Sequence, residues 1–197
     1  MIAIIDYNAG NVASVKNALS RLGVDCIITS EPAIILSARG VIFPGQGRAG
    51  TAMKELQKSG IDKTIAEISR PFLGICLGMQ LLSEFSEEDS TKCLSIIKGK
   101  CLKFPPAMKT PHLGWNKVEF VKDSPINKGV ANGAYFYFVH SYYFAADDNC
   151  VIGKTAYGFE FPSMAQKDNF FATQFHPEKS GQAGSVLLNN FCQLCRQ

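Results

Sequence analysis

At 197 residues the chain is long enough to bury one substantial core and short for two independent domains, so a single domain over residues 1–197 is expected. Apolar residues make up 46% and charged residues 19%, a balance that argues against a disordered or solvating chain. The net charge is only +3, and the longest basic stretch, Ile97 to Lys103, is broken by Gly99, Cys101 and Leu102; it reads as a strand with solvated lysines rather than a nucleic-acid surface.

The chain opens with the apolar run Ile2 to Ile5, which reads as a buried strand stopping at the polar loop Asp6-Tyr7-Asn8-Ala9-Gly10-Asn11. Val12, Val15, Leu19 and Leu22 then recur at helical spacing, with Gly23 as the stop signal. Val24 to Thr29 is a second strand, a loop follows, and Gly40 to Phe43 is a third strand ended by Pro44-Gly45-Gln46-Gly47. Helical periodicity covers Ala52 to Leu56 and Ile61 to Ile68. Phe72 to Ile75 is a strand running into Cys76, and Leu77 to Phe85 continues as a helix. This alternation predicts an α/β fold with a mainly parallel central sheet and helices on both faces.

Beyond Cys93 the pattern changes. Leu94 to Phe104, Val118 to Val121, Tyr135 to Val139, Val151 to Tyr157 and Phe170 to Phe175 are strand-like, and antiparallel pairing among them should extend the parallel sheet into a mixed one. Ser185 to Leu194 closes the chain as an apolar helix. The first residues lack the basic region and longer apolar run of a signal peptide, and no apolar stretch is long enough to span a bilayer. A soluble protein of the cytoplasm, with reduced thiols and no membrane contact, is the expectation.

Gly74-Ile75-Cys76-Leu77-Gly78 places a cysteine between glycines at a strand-to-helix junction. A nucleophile there projects from a tight turn, and the following helix N-terminus favours a thiolate and a nearby oxyanion. Short patterns of this kind also arise by chance, and a cysteine on an apolar segment is by default a small core residue. The case strengthens with Phe175-His176-Pro177-Glu178. A thiol nucleophile needs a base that later reprotonates the leaving nitrogen, and the base needs a carboxylate to fix its tautomer. Cys76, His176 and Glu178 supply these roles, provided the last two lie on a loop rather than a helix, which would turn them apart.

The other histidines read differently. His140 ends an aromatic run and fits a satisfied hydrogen-bonding residue at a strand end; His112, between Pro111 and Leu113-Gly114-Trp115, fits a surface or partner-facing position. No histidine pair has helix-ligand spacing, and Cys192-x-x-Cys195 has no matching second pair, so neither a metal nor another cofactor is expected. Pro44-Gly45-Gln46-Gly47 lacks the ending of a phosphate loop; it is either a plain tight turn or a source of backbone N–H groups for an oxyanion or a small amide substrate. Trp115, the only tryptophan, is either ordinary packing or an exposed interface anchor.

Taken together, FLGICLGMQL over residues 72–81 and QFHPEKS over residues 174–180 resemble the triad-type (class I) glutamine amidotransferases. The opening DYNAGN with Ser14-Val15, the PHLGWN segment and FVHSY narrow the resemblance to the glutaminase subunits of imidazole glycerol phosphate synthases, and it spans essentially the whole chain. The resemblance implies hydrolysis of glutamine by Cys76 through a glutamyl thioester, with His176 as base and acid and Glu178 as orienter. It implies an oxyanion hole from the Leu77 N–H and the Gly45, Gln46, Gly47 loop, and glutamine contacts at Gln80, His140, Ser141 and Tyr142. Trp115, Asn116 and Lys179 match positions that meet a separate cyclase subunit, a (β/α)8 barrel of histidine biosynthesis that receives the ammonia. Glutamine hydrolysis is expected to be weak without that partner. The family loop usually reads P-G-V-G, and here Gln46 stands at its third place. A glutaminase of another synthase, a cysteine peptidase and a non-catalytic binding subunit are the alternatives that the residues leave open.

Overall fold

Short apolar strands with buried residues on both sides define the centre of the molecule, here described from a computed structural model covering residues 1–7 and 11–196. Asn8, Ala9 and Gly10 of the opening motif lie outside the described residues. The first half runs β1 (Ile2–Ile5), α1 (Val12–Arg21), β2 (Cys26–Thr29), α2 (Pro32–Ser37), β3 (Gly40–Gly45), α3 (Ala49–Ser59), α4 (Ile61–Glu67), β4 (Phe72–Cys76) and α5 (Leu77–Leu81). The second half runs β5 (Phe85–Ser86), β6 (Thr91–Lys92), β7 (Gly99–Lys103), β8 (His112–Phe120), β9 (Ala134–His140), β10 (Tyr142–Ala146), β11 (Val151–Tyr157), β12 (Phe159–Lys167), β13 (Phe170–Thr173) and α6 (Gly181–Leu194).

The main sheet has nine strands in the order β2-β1-β3-β4-β13-β12-β11-β8-β9. The first five are mutually parallel, and β12, β11, β8 and β9 extend them antiparallel. Alternation along each parallel strand sorts its residues between two cores. Ala3, Ile5, Val41, Phe43 and Phe72 face α3 and α4, whereas Ile2, Ile4, Ile42, Leu73 and Ile75 face α1 and α6. Both faces of these strands are therefore covered, as an α/β fold requires.

Three expectations fail locally. The segment between β2 and β3 contains α2 rather than only loop; six residues with Pro32 at the first turn and one buried position, Ile35, are too few to display helical periodicity. The helix after Cys76 ends at Leu81, not Phe85. Its terminal carbonyls are taken by the chain beyond, with Leu94 N–H donating to Leu81 O at 2.9 Å and Ile96 N–H to Leu82 O at 3.0 Å. Those contacts also explain why only Gly99–Lys103 of the predicted Leu94–Phe104 strand is extended. That strand joins β10, β5 and β6 in a second sheet of four strands, which the sequence did not suggest.

Candidate active site

The parallel strands end together at one edge of the sheet, and the catalytic-type side chains emerge there. In the β3–β4 register Gly45 lies opposite Cys76, and Thr173 of β13 lies opposite Ile75. Cys76 has φ 54° and ψ −107°, a conformation that costs a non-glycine residue on the order of 1–3 kcal/mol and turns the chain from β4 directly into α5. The flanking glycines permit that turn. A Cβ on Gly78 would collide with the Phe43 carbonyl, and one on Gly74 would come within 2.9 Å of the Gly78 backbone.

The chain leaving β13 delivers His176. His176 keeps an extended backbone, its N–H donating to Tyr137 O of β9 at 2.9 Å. Ser180 locks the same residue from below: its hydroxyl donates to His176 O at 2.6 Å and accepts from Tyr137 N–H at 3.0 Å. Residues Pro177–Lys179 then form one 3₁₀ turn rather than an open loop, yet the turn begins after His176 and brings Glu178 back to it. His176 Nδ1–H donates to Glu178 Oε1 at 2.8 Å, with side-chain exposures of 2% and 1%. Nε2 is left without a hydrogen-bond partner among the described residues. Burial pulls the His176 imidazole down, but adjacent Cys76 and Glu178 outweigh it and hold the ring well above its ordinary value.

A cavity of about 410 Å³ opens over these groups, and Cys76, His176, Leu77, Gln46, Gly47 and Gln80 all line it. His140, Ser141, Tyr142 and Lys179 reach its wall as well. Gly45 does not line it; it sits beneath, in β3, where the buried Tyr7 hydroxyl would meet a Cβ at 2.6 Å. A larger recess of about 710 Å³ between Phe120 and Asn132 is lined by neither cysteine nor histidine, so the smaller cavity is the chemical one.

Three positions lie at or outside the rim. Trp115 is 55% exposed and meets the Tyr137 ring edge-on at 6.1 Å; Lys179 places its ammonium 6.0 Å from the centre of that ring. Asn116 turns its amide inward, donating to Ala156 O at 2.9 Å. His112 corrects the surface expectation: it is 3% exposed because β8 begins at this residue and its alternation points the ring inward, opposite His140 in the β8–β9 register. The two rings bond through His112 Nδ1 and His140 Nε2 at 3.0 Å, and His140 Nδ1 bonds Tyr142 O at 2.8 Å. Both ring nitrogens of His140 are thus committed within the protein, although the residue lines the cavity.

Two residues escaped sequence reasoning. Glu88 is the acidic residue in the cavity wall, its Oε2 accepting from Ala49 N–H at 2.8 Å at the start of α3. Within Glu87-Glu88-Asp89 it reads as one of several solvated acids, and only the adjoining Arg48–Asp89 ion pair, which packs this turn onto the end of the glycine loop, singles it out. Gln174 is fully buried behind Cys76, two residues before His176 in the QFHPE segment, and that spacing was the available signal. Among the described residues no cluster of metal-binding side chains occurs, and no helix is long and apolar enough to cross a membrane.

A model of the class-I glutamine amidotransferase family matches residues 3–194. The imidazole glycerol phosphate synthase subunit HisH of Methanocaldococcus jannaschii is 51% identical over 98% of this chain and all of its own length. Its counterpart from Desulfovibrio desulfuricans is 47% identical over all of this chain and 96% of its own. Among solved structures, a glutamine amidotransferase superposes with a TM-score of 0.78 at 18% identity over the whole of both chains. PurLQS from Thermotoga maritima gives 0.73 at 14% identity over 98% of this chain and 97% of its own; these two likenesses speak for the fold alone. Agreement over the full length of such relatives places the family beyond the catalytic motifs themselves: the chain belongs to the class-I glutamine amidotransferases, among the HisH subunits of imidazole glycerol phosphate synthase.

Proposed function

We propose that this chain hydrolyses L-glutamine to glutamate and ammonia through a thioester on Cys76 and hands the ammonia to a cyclase subunit of imidazole glycerol phosphate synthase. The observation that carries the reading is the buried His176–Glu178 pair beside a strained cysteine, with Cys76 and His176 lining one cavity. His176 Nε2 takes the Sγ proton, and the thiolate attacks the amide carbon. The resulting oxyanion is met by N–H groups of Leu77 and of the Gln46–Gly47 end of the glycine loop, which line the cavity. The imidazolium, held by the Glu178 carboxylate, gives its proton to the departing nitrogen, so ammonia leaves and the thioester remains. Water then attacks the thioester with His176 as base, releasing glutamate and restoring the thiol.

Substrate orientation follows from charge. Glutamine presents an ammonium, a carboxylate and an uncharged amide, and Glu88 is the acidic residue in the wall for the first of these. Gln80, Ser141 and Tyr142 line the same wall and suit the amide and carboxylate, whereas His140 shapes the wall through its own bonds to His112 and Tyr142. Trp115, Tyr137 and Lys179 sit beside the mouth, where a (β/α)8-barrel partner that consumes ammonia would dock, with Asn116 behind them on β8.

Mixing the purified chain with the histidine-pathway cyclase and its phosphoribulosyl-formimino nucleotide tests both halves of the reading. Glutamate release should be slow alone and rise on mixing, and Cys76→Ala should abolish turnover while still forming the complex. Activation by a different synthase and none by this cyclase would overturn the partner; turnover by the Cys76→Ala protein would overturn the mechanism.

A further inference from the structure

We propose that Gln174 is a fourth catalytic residue, whose side-chain amide donates a hydrogen bond to Cys76 Sγ and holds the sulfur once its proton has left. The proposal deepens the glutaminase reading and rests on the nucleophilic role of Cys76.

The geometry begins at a group that cannot be turned round. Tyr142 O only accepts, and Gln80 Nε2 lies 2.8 Å from it, which fixes which end of the Gln80 amide is nitrogen. The second hydrogen of that nitrogen points at Gln174 Oε1, 3.1 Å away. Gln174 must therefore present its nitrogen to the opposite side, where Cys76 Sγ stands at 3.7 Å. The same carbonyl accepts from His140 Nδ1–H, so His140 Nε2 accepts from His112 Nδ1–H, and His112 Nε2 accepts from Asn116 Nδ2 at 3.2 Å. Asn116 is itself oriented by backbone at both ends of its amide, donating to Ala156 O and accepting from Lys117 N–H at 2.8 Å. One consistent set of proton positions thus runs from β8 to the sulfur. Gln174 is fully buried, and water does not compete for its amide.

The chemistry follows from what else touches the sulfur. As a thiol, Sγ donates to Val139 O at 3.8 Å, a contact that a deprotonated sulfur cannot make. When the proton passes to His176 Nε2, the electron pair left on Sγ faces the Gln174 N–H, and a hydrogen bond to an anion is about twice as strong as one between neutral groups. Gln174 therefore favours the charged nucleophile and aims its free lone pairs toward the cavity.

Gln174→Met keeps the length of the side chain without its donor, and Gln174→Glu replaces the donor with an acceptor of the same shape. The readout is the rate of Cys76 carboxamidomethylation by iodoacetamide against pH, followed on the Cys76 peptide by mass spectrometry, in the isolated chain without glutamine. Thermal unfolding monitors the fold of each variant. Loss of a charge-assisted hydrogen bond should slow alkylation at neutral pH about tenfold in Gln174→Met and more in Gln174→Glu, moving the profile to higher pH. Glutamine turnover in the complex should lose kcat by a similar factor, with KM within about threefold. An unchanged alkylation profile in folded Gln174→Met overturns the proposal, as does a loss confined to KM. If Gln174→Glu fails to fold, Gln174→Met decides alone. Absence of glutaminase activity in the wild-type complex would instead strike the functional reading, and the alkylation profile would still judge Gln174.

Discussion

Glu178 reaches His176 across a single 3₁₀ turn because His176 itself stays extended, held by Tyr137 O and the Ser180 hydroxyl. The carboxylate does two things in that position: it fixes Nδ1 as the protonated nitrogen and helps to keep the ring charged. Glu178→Gln preserves the hydrogen bond, since an amide oxygen also accepts, but removes the charge. With that support gone, the imidazolium gives up its proton at lower pH, and the acid that protonates departing ammonia is lost sooner. The alkaline limb of kcat/KM should move to lower pH, and kcat should fall by about a hundredfold. A pH-rate series in the cyclase complex checks this; an alkaline limb in its wild-type position would show that Glu178 acts only through shape. The grouping of Cys76, His176 and Glu178 is legible in sequence because the three sit in two short motifs. Glu88 and Gln174 are not, since nothing local separates Glu88 from its acidic neighbours, and the role of Gln174 depends on an amide orientation that Gln80 and Tyr142 impose from distant elements.

The junction of β3, β4 and α5 is where backbone packing sets the site. Gly78 lies in the first turn of α5 against the Phe43 carbonyl of β3, whose final residue, Gly45, is opposite Cys76. Gly78→Ala forces the helix and β3 apart, and with them the nucleophile and the glycine loop. Overpacking of this kind should cost about 2 kcal/mol in urea unfolding and nearly all of the glutaminase activity. Retention of full stability and full turnover would mean that α5 shifts without disturbing the loop. At this scale the parallel strands were readable because each is a short apolar run bounded by turn residues. Other elements carried no such signal. β12 includes Pro162 in its interior, α2 is too short for a period, and β10 begins two residues after His140, across Ser141, with neither glycine nor proline to announce the bend.

Across the whole molecule, the His112–His140 pair carries a cost that depends on pH. The two rings sit among Phe104, Phe138, Tyr157 and Phe161, joining the far edge of the main sheet to the polar groups behind the nucleophile. Burial lowers His112 to about 4; for His140, burial with His112 and His176 beside it outweighs its bond to Tyr142 O and lowers it to about 3. In the unfolded chain each ring titrates near 6.5. Below that pH the unfolded state binds protons that the folded state refuses, so their stabilising contribution, full above 6.5, is lost as pH falls toward 3 or 4. His176 is common to the two proteins compared below and drops out of the difference between their slopes. Each histidine should steepen the fall in unfolding free energy by about 1.4 kcal/mol per pH unit. His112→Gln, which can still donate to His140 Nε2, isolates one of the two. Urea titrations of the Cys76→Ala protein, with and without His112→Gln, between pH 4.5 and 6 should give slopes differing by about that amount. Equal slopes would mean that His112 takes up a proton inside the folded protein, at the Nε2 that otherwise accepts from Asn116, or that its ring moves out of the aromatic shell.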